Sequence, residues 1–117
     1  MSDQRRALGV AGEAMVAAWY EAAGYEVLDR NWRCREGELD LVVGRDHVIV
    51  FCEVKTRRSD AFGAPVEAVT AQKQRRLRVL AVQWLDDRGR GGALRFDVAS
   101  VRPGRGQLEV EVLEDAF

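Results

Sequence analysis

Two short segments, Gly37-Glu38-Leu39-Asp40-Leu41 and Phe51-Cys52-Glu53-Val54-Lys55, place charge where a strand normally buries aliphatic side chains. Both have strand composition. A period of two predicts that Glu38, Asp40 and Val42 share one face of the first strand, and Ile49, Phe51, Glu53 and Lys55 one face of the second. Carboxylates and an ammonium set among Val, Ile, Leu and Phe need a compensating partner, because an unpaired buried charge is costly. A divalent cation suited to phosphodiester cleavage is the partner we favour.

The rest of the composition narrows the class. The 117 residues correspond to one domain, residues 1–117, with room for a modest core. A hydrophobic fraction of 47% with 32% charged residues fits an ordinary globular chain. A net charge of −1 carries no global signal for nucleic acid, so any such binding has to come from local patches. Cys34 and Cys52 have no CxxC spacing and a single histidine for company, which argues against zinc and for two buried thiols in a reducing compartment. The start, Met1 to Arg6, lacks the apolar core of a signal peptide, and no run approaches the ~18 apolar residues of a membrane span. The expectation is a cytoplasmic protein with no membrane partner.

Apolar spacing predicts a helix from about Gln4 to Ala23, with Gly24 as its stop. A strand follows from Tyr25 to Cys34, and a second from Glu36-Gly37 to Gly44. The link Arg45-Asp46 predicts a hairpin into a third strand, Val48 to Val54. Arg57 to Pro65 is a polar loop. Val66 to Asp86 reads as a second helix, with Val69, Leu77, Leu80 and Trp84 on one stripe. After the link Arg88 to Gly92, strands Leu94–Val101 and Leu108–Leu113 flank a turn at Pro103-Gly104. The order is αβββαββ, an α/β sandwich of helices on a small mixed sheet.

A two-residue loop at Arg45-Asp46 sets Asp40 opposite Phe51 and Glu38 opposite Glu53, and a two-residue shift sets Asp40 opposite Glu53. Either register brings like charges face to face, which destabilises a ladder unless a cation intervenes or one acid is protonated. A loop of odd length would turn the acids away from Glu53. Mg²⁺ suits the crowded registers, since it takes one or two carboxylates and keeps several waters. Lys55, two residues after Glu53, points the same way and is placed to steady an attacking hydroxide or a phosphate. A cross-strand ion pair of Lys55 with Glu36, Glu38 or Asp40 satisfies the same spacing without a metal.

Glu13 falls on the apolar stripe of the first helix with Gly9, Val16, Ala17 and Tyr20, where it is either a further ligand or a helix-edge acid paired with an arginine. Lys73 shares the stripe of Val69, Leu77 and Leu80, so its ammonium either reaches the site or snorkels to water. Arg57, Arg58, Arg75, Arg76 and Arg78 form a basic set that either contacts phosphates or is a solvated face. His47 reads as an exposed turn residue, and Trp19, Trp32 and Trp84 as packing.

These residues together carry a family resemblance that covers nearly the whole chain. It runs through Gly9-x-x-Gly12-Glu13, Gly24-Tyr25, Asn31-Trp32-Arg33, Gly37 to Leu41, Phe51 to Arg57, Gly63-x-Pro65, Lys73 and Arg95-Phe96-Asp97-Val98. The chain resembles the small bacterial YraN-like family, whose members look like nucleases of the PD-(D/E)XK, restriction-endonuclease-like superfamily. The archaeal Holliday-junction resolvases are similar in architecture. The resemblance implies a restriction-endonuclease-like fold with Asp40, Glu53 and Lys55 at the positions of the signature triad. Glu13 falls where resolvase-like members carry a helix-borne acid. Leu39 stands where the signature has proline, which touches turn geometry and not ligands. Arg95 and Asp97 fit the family pattern, with an ion pair at a strand start as their only evident role.

The expectation is a Mg²⁺- or Mn²⁺-dependent endonuclease acting on structured or branched DNA. Asp40, Glu53, Glu13 and Glu38 would hold the metal, Lys55 would act with Glu13, Asp40 and Glu53 in catalysis, and Arg57, Arg58, Lys73, Arg75 and Arg76 would meet nucleic acid. A symmetric homodimer would let a small domain cut two strands. One alternative is a nucleic-acid-binding module that keeps the pocket but cleaves slowly or only with a DNA-processing partner protein. Another is an interaction protein that never meets nucleic acid.

Overall fold

A computed structural model describes residues 3–57 and 69–117. Its elements run α1 (Asp3–Ala22), β1 (Glu26–Cys34), β2 (Gly37–Arg45), β3 (Val48–Thr56), α2 (Ala71–Arg88), β4 (Ala93–Pro103) and β5 (Leu108–Leu113). The order αβββαββ is the one the sequence predicts. The strands form one sheet in the order β1-β2-β3-β4-β5. All neighbours are antiparallel except β3 and β4, which are parallel and joined through α2. A parallel pair needs such a crossover, and the crossover helix covers one sheet face.

Alternation along the central strands separates two cores. Val42, Ile49, Phe51, Phe96 and Val98 pack with Leu77, Leu80, Ala81 and Trp84 of α2. Leu41, Val43, Val50, Cys52, Ala99 and Val101 pack with Val16, Ala17 and Tyr20 of α1. The sheet is thus covered on both faces, which is why β2, β3 and β4 read as near-continuous apolar runs. Gly12 permits the close seating of α1: a Cβ there would lie 2.6 Å from Thr56 Oγ1 and 3.4 Å from Val101 Cβ.

Several boundaries differ from expectation. The hairpin turn is Asp46-His47, not Arg45-Asp46, so Arg45 pairs with Val48 and Gly44 with Ile49. Asp46 takes φ 55°, a left-handed value that Asp tolerates better than most residues. Among the described residues the second helix begins at Ala71, where Thr70 caps it: its Oγ1 accepts the Lys73 N–H at 3.2 Å, and Val66, the expected start, lies outside the described residues. Val69 is buried, yet from outside the helix. Gly89, at φ 61°, closes the helix by donating to Asp86 and Leu85 carbonyls. Arg58, Gly63 and Pro65 lie outside the described residues. Cys52 is buried as expected, but Cys34 is only half-buried, and both thiols are free. Trp84 is core, Trp19 and Trp32 pack at its margins, and His47 is exposed.

Arg95 and Asp97 form more than an ion pair. Asp97 is fully buried and accepts bonds from Tyr20 Oη at 2.6 Å, Arg95 Nε and Nη2 at 2.9 Å each, and the Asp115 N–H at 3.0 Å. The carboxylate therefore ties α1, β4 and the segment after β5 into one network.

Candidate active site

The ladder between β2 and β3 runs from Arg45–Val48 to Leu41–Cys52. One further step would set Asp40 against Glu53. The ladder ends there, and Asp40 Oδ2 accepts the Val54 N–H at 2.9 Å in place of a strand bond. The opposed acids predicted by one register are thus the place where the two strands part. β3 keeps its pairing with β4 as far as Thr56–Val101, and β2 keeps its pairing with β1 as far as Cys34–Gly37. The sheet opens between β2 and β3 while both strands stay anchored on their outer sides.

Strict alternation also breaks at Leu39. Leu39 joins the α2-side core and Leu41 the α1-side core. The break concerns Leu39 alone: Glu38 and Asp40 still border a cleft beside Leu77 and Leu80, the residues Val42 packs with, so the three share the α2 side of the sheet as expected. On β1, Asn31 sits between the pairs Arg30–Leu41 and Trp32–Leu39, and takes φ 50°. Its side chain bonds Glu13 of α1. Sequence reasoning named Asn31 only within the Asn31-Trp32-Arg33 motif and gave it no role at the site. The available signal was its residue type, since Asn adopts left-handed backbone more readily than most.

The opening gathers charge. Asp40, Glu38 and Glu53 line a cleft of about 230 Å³ with Lys73 and Arg76, against an apolar wall of Leu77 and Leu80. Glu53, 9% exposed, is gripped through Oε1 by Lys73 Nζ at 3.0 Å and Lys55 Nζ at 3.3 Å. Glu38 pairs with Arg33 Nε at 3.5 Å. Lys55 therefore pairs with Glu53 on its own strand, in place of the cross-strand partner foreseen for it.

Electrostatics follow from burial and crowding. Desolvation, then the Glu53 charge, pushes the Asp40 carboxyl up to about 7, against the Val54 N–H bond that favours its anion. Glu13 and Glu38 push Asp40 the same way. Glu13 is raised by burial and by Glu38, while its bond to Asn31 works the other way. Burial, then the neighbouring Lys73, lowers Lys55. For Lys73 burial opposes the charge, but its bonds with Lys55 and Glu53 outweigh it and raise the ammonium's pKa. The two lysines shift in opposite directions while both hold Glu53.

The structure brings Asp40, Glu53, Lys55, Lys73 and Glu38 together, with Glu13 within electrostatic reach. Among the described residues, no group of three or more His, Cys, Asp or Glu side chains stands gathered for a metal ion. Arg76, expected only as part of a basic surface, lines the cleft, while Arg75 is exposed. Arg57 is half-buried and gives its backbone N–H to Val101 O at 2.8 Å. Arg78 is engaged elsewhere, its guanidinium 4.9 Å from the Phe96 ring centroid and 5.5 Å from that of Phe117. No helix among the described residues is long and apolar enough to cross a membrane.

Known proteins of similar length share this arrangement of sequence. A UPF0102 protein of Rhodococcus jostii (strain RHA1) is 50% identical over 113 residues, covering 95% of this chain and 96% of its own. A UPF0102 protein of Frankia casuarinae is also 50% identical over 113 residues, with 95% and 96% covered. One from Beutenbergia cavernae is 50% identical over 109 residues, with 92% of each chain covered. Residues 12–101 match the family described as uncharacterised protein family UPF0102, a span that holds Glu13, Asp40, Glu53, Lys55 and Lys73. The chain belongs to the UPF0102, YraN-like family.

Proposed function

We propose that this protein is a metal-dependent endonuclease of the PD-(D/E)XK type that hydrolyses phosphodiester bonds, with structured or branched DNA as its substrate class. The observation that carries the reading is the parting of β2 from β3 at Asp40 and Glu53, with Lys55 Nζ 3.3 Å from Glu53. Two hard carboxylates on adjacent strands, Asp40 and Glu53, mutually repelling in a cleft that opens to solvent, suit Mg²⁺ or Mn²⁺, which need only one or two carboxylates and keep several waters. Asp40 and Glu53 would hold the ion, with Glu13 and Glu38 assisting. When bound, the metal supplies Lewis-acid polarisation of a phosphoryl oxygen and acidifies water.

The chain's own residues divide the remaining work. Lys55, lowered by burial, accepts or orients the proton of the attacking water. Lys73 and Arg76 line the wall opposite the acids and meet phosphate oxygens as point charge and planar fork. Leu77 and Leu80 keep one side of the cleft dry, which strengthens each polar interaction inside.

A binding module with little cleavage is the second reading. The observation favouring it is that Lys55 and Lys73 already neutralise Glu53. The decisive experiment incubates wild type and Asp40→Ala with four-way junction, flap, single-stranded and duplex DNA in Mn²⁺, Mg²⁺ or EDTA. Metal-dependent cleavage of one structure, lost in the variant, supports the nuclease. Salt-sensitive binding by both proteins with no cleavage in any metal supports the module. An interaction protein that never meets nucleic acid predicts neither.

A further inference from the structure

We propose that Lys73 competes with the divalent cation for Glu53, so that helix α2 sets metal affinity and metal entry frees an ammonium for the substrate phosphate. This rests on the metal-dependent reading of the cleft and adds to it a built-in regulator.

Lys73 stands in an unfavourable place for helix stability. It occupies the first turn of α2, where the backbone dipole disfavours cations, and no acid shares that turn. Its N–H is the one capped by Thr70, which fixes the root of the side chain. What compensates it is Glu53, whose Oε1 lies 3.0 Å from Nζ.

That same oxygen belongs to the carboxylate that faces the β2–β3 opening beside Asp40. A divalent cation held by these two acids would sit within direct like-charge range of an ammonium 3.0 Å from Glu53. One lysine has to yield. Lys55 is on the strand itself and its side chain is 22% exposed, whereas that of Lys73 is 35% exposed and borders the open side. A long, flexible, strongly hydrated ammonium leaves most easily from the more exposed position. Arg76, one turn further along α2, lines the same cleft and marks where a displaced cation would find the phosphate.

The test is isothermal titration of Mn²⁺ into wild type, Lys73→Met, Lys73→Arg and Asp40→Ala, with each variant's fold checked by thermal melting. Competition predicts that Lys73→Met tightens Mn²⁺ binding on the order of tenfold, that Lys73→Arg stays near wild type, and that Asp40→Ala loses binding. A purely structural ion pair would lower the melting temperature of Lys73→Met and leave Mn²⁺ affinity unchanged. Equal or weaker Mn²⁺ binding by a folded Lys73→Met, beside measurable binding by wild type, overturns the competition and leaves the metal reading intact. Absence of binding by both folded proteins removes the metal reading, and the competition with it. Lys73→Gln supplies the same comparison should Lys73→Met not fold.

Discussion

Asp40 has an acidity set by its surroundings, and that has a measurable consequence for stability. Its folded pKa, about 7, lies above the ordinary carboxylate value of 3.8. The folded state therefore binds more protons than the unfolded state between these values, so this group's contribution to stability is greatest below about pH 4 and falls as pH rises to 7. Asp40→Asn keeps an oxygen for the Val54 N–H and removes the charge. We expect urea unfolding to show it more stable than wild type by about 2 kcal/mol at pH 8, with the gap closing at pH 4. Equal stability at both values would contradict the crowding of acids. Asp97 is the contrasting carboxylate. Fully buried yet bonded by Tyr20, Arg95 and the Asp115 N–H, it is a structural hub. Asp97→Ala is expected to cost about 3–5 kcal/mol in urea unfolding, since it strands a guanidinium and a hydroxyl. Asp40, Glu53 and Lys55 were legible from sequence because charge on a strand face is conspicuous. The role of Asn31 and the Asp97 network were not. The first depends on one backbone angle, and the second joins residues 20, 95, 97 and 115 that only the fold brings together.

At the scale of elements, α1 is placed by what Gly12 lacks. Close approach to Thr56 and Val101 sets the helix against the end of β3, and Glu13 follows as the next residue. Gly12→Ala should force α1 off the sheet, costing about 1–3 kcal/mol despite the better helix propensity of alanine. A stability gain by thermal melting would show that the seating is loose. Helix and strand order followed from apolar periodicity, but two edges did not. Val69 continues the apolar stripe backward, which makes the helix look longer than Thr70 allows. The hairpin shifted by one residue because Asp46 and His47, both polar, fit the turn as well as Arg45-Asp46 does. That single step decides whether Asp40 meets Phe51 or Glu53, so turn chemistry governs the site.

For the whole molecule, a net charge of −1 conceals a division of charge across one cleft. Acids come from β2 and β3, and cations from α2. Binding to DNA through these two cations should therefore weaken with salt at a shallow slope, roughly 2 in log K against log[salt]. Neutralising one cleft cation, by Lys73→Gln or Arg76→Gln, should reduce the steepness of log K against log[salt] by roughly 1. An unchanged slope in both variants would put the nucleic-acid surface elsewhere.

The two thiols differ in accessibility in a way that gives the protein its own probe. Cys52 is sealed beneath α1, whereas Cys34 is half-buried on β1, paired with Gly37 at the cleft's rim, its Sγ 3.2 Å from Gln83 Oε1 on α2. A bulky alkylating reagent will reach Cys34 first, at a rate set by how often β1 and α2 move apart. Following that rate while DNA or metal is added would time the breathing of the cleft mouth in the unmodified sequence, with no engineered label.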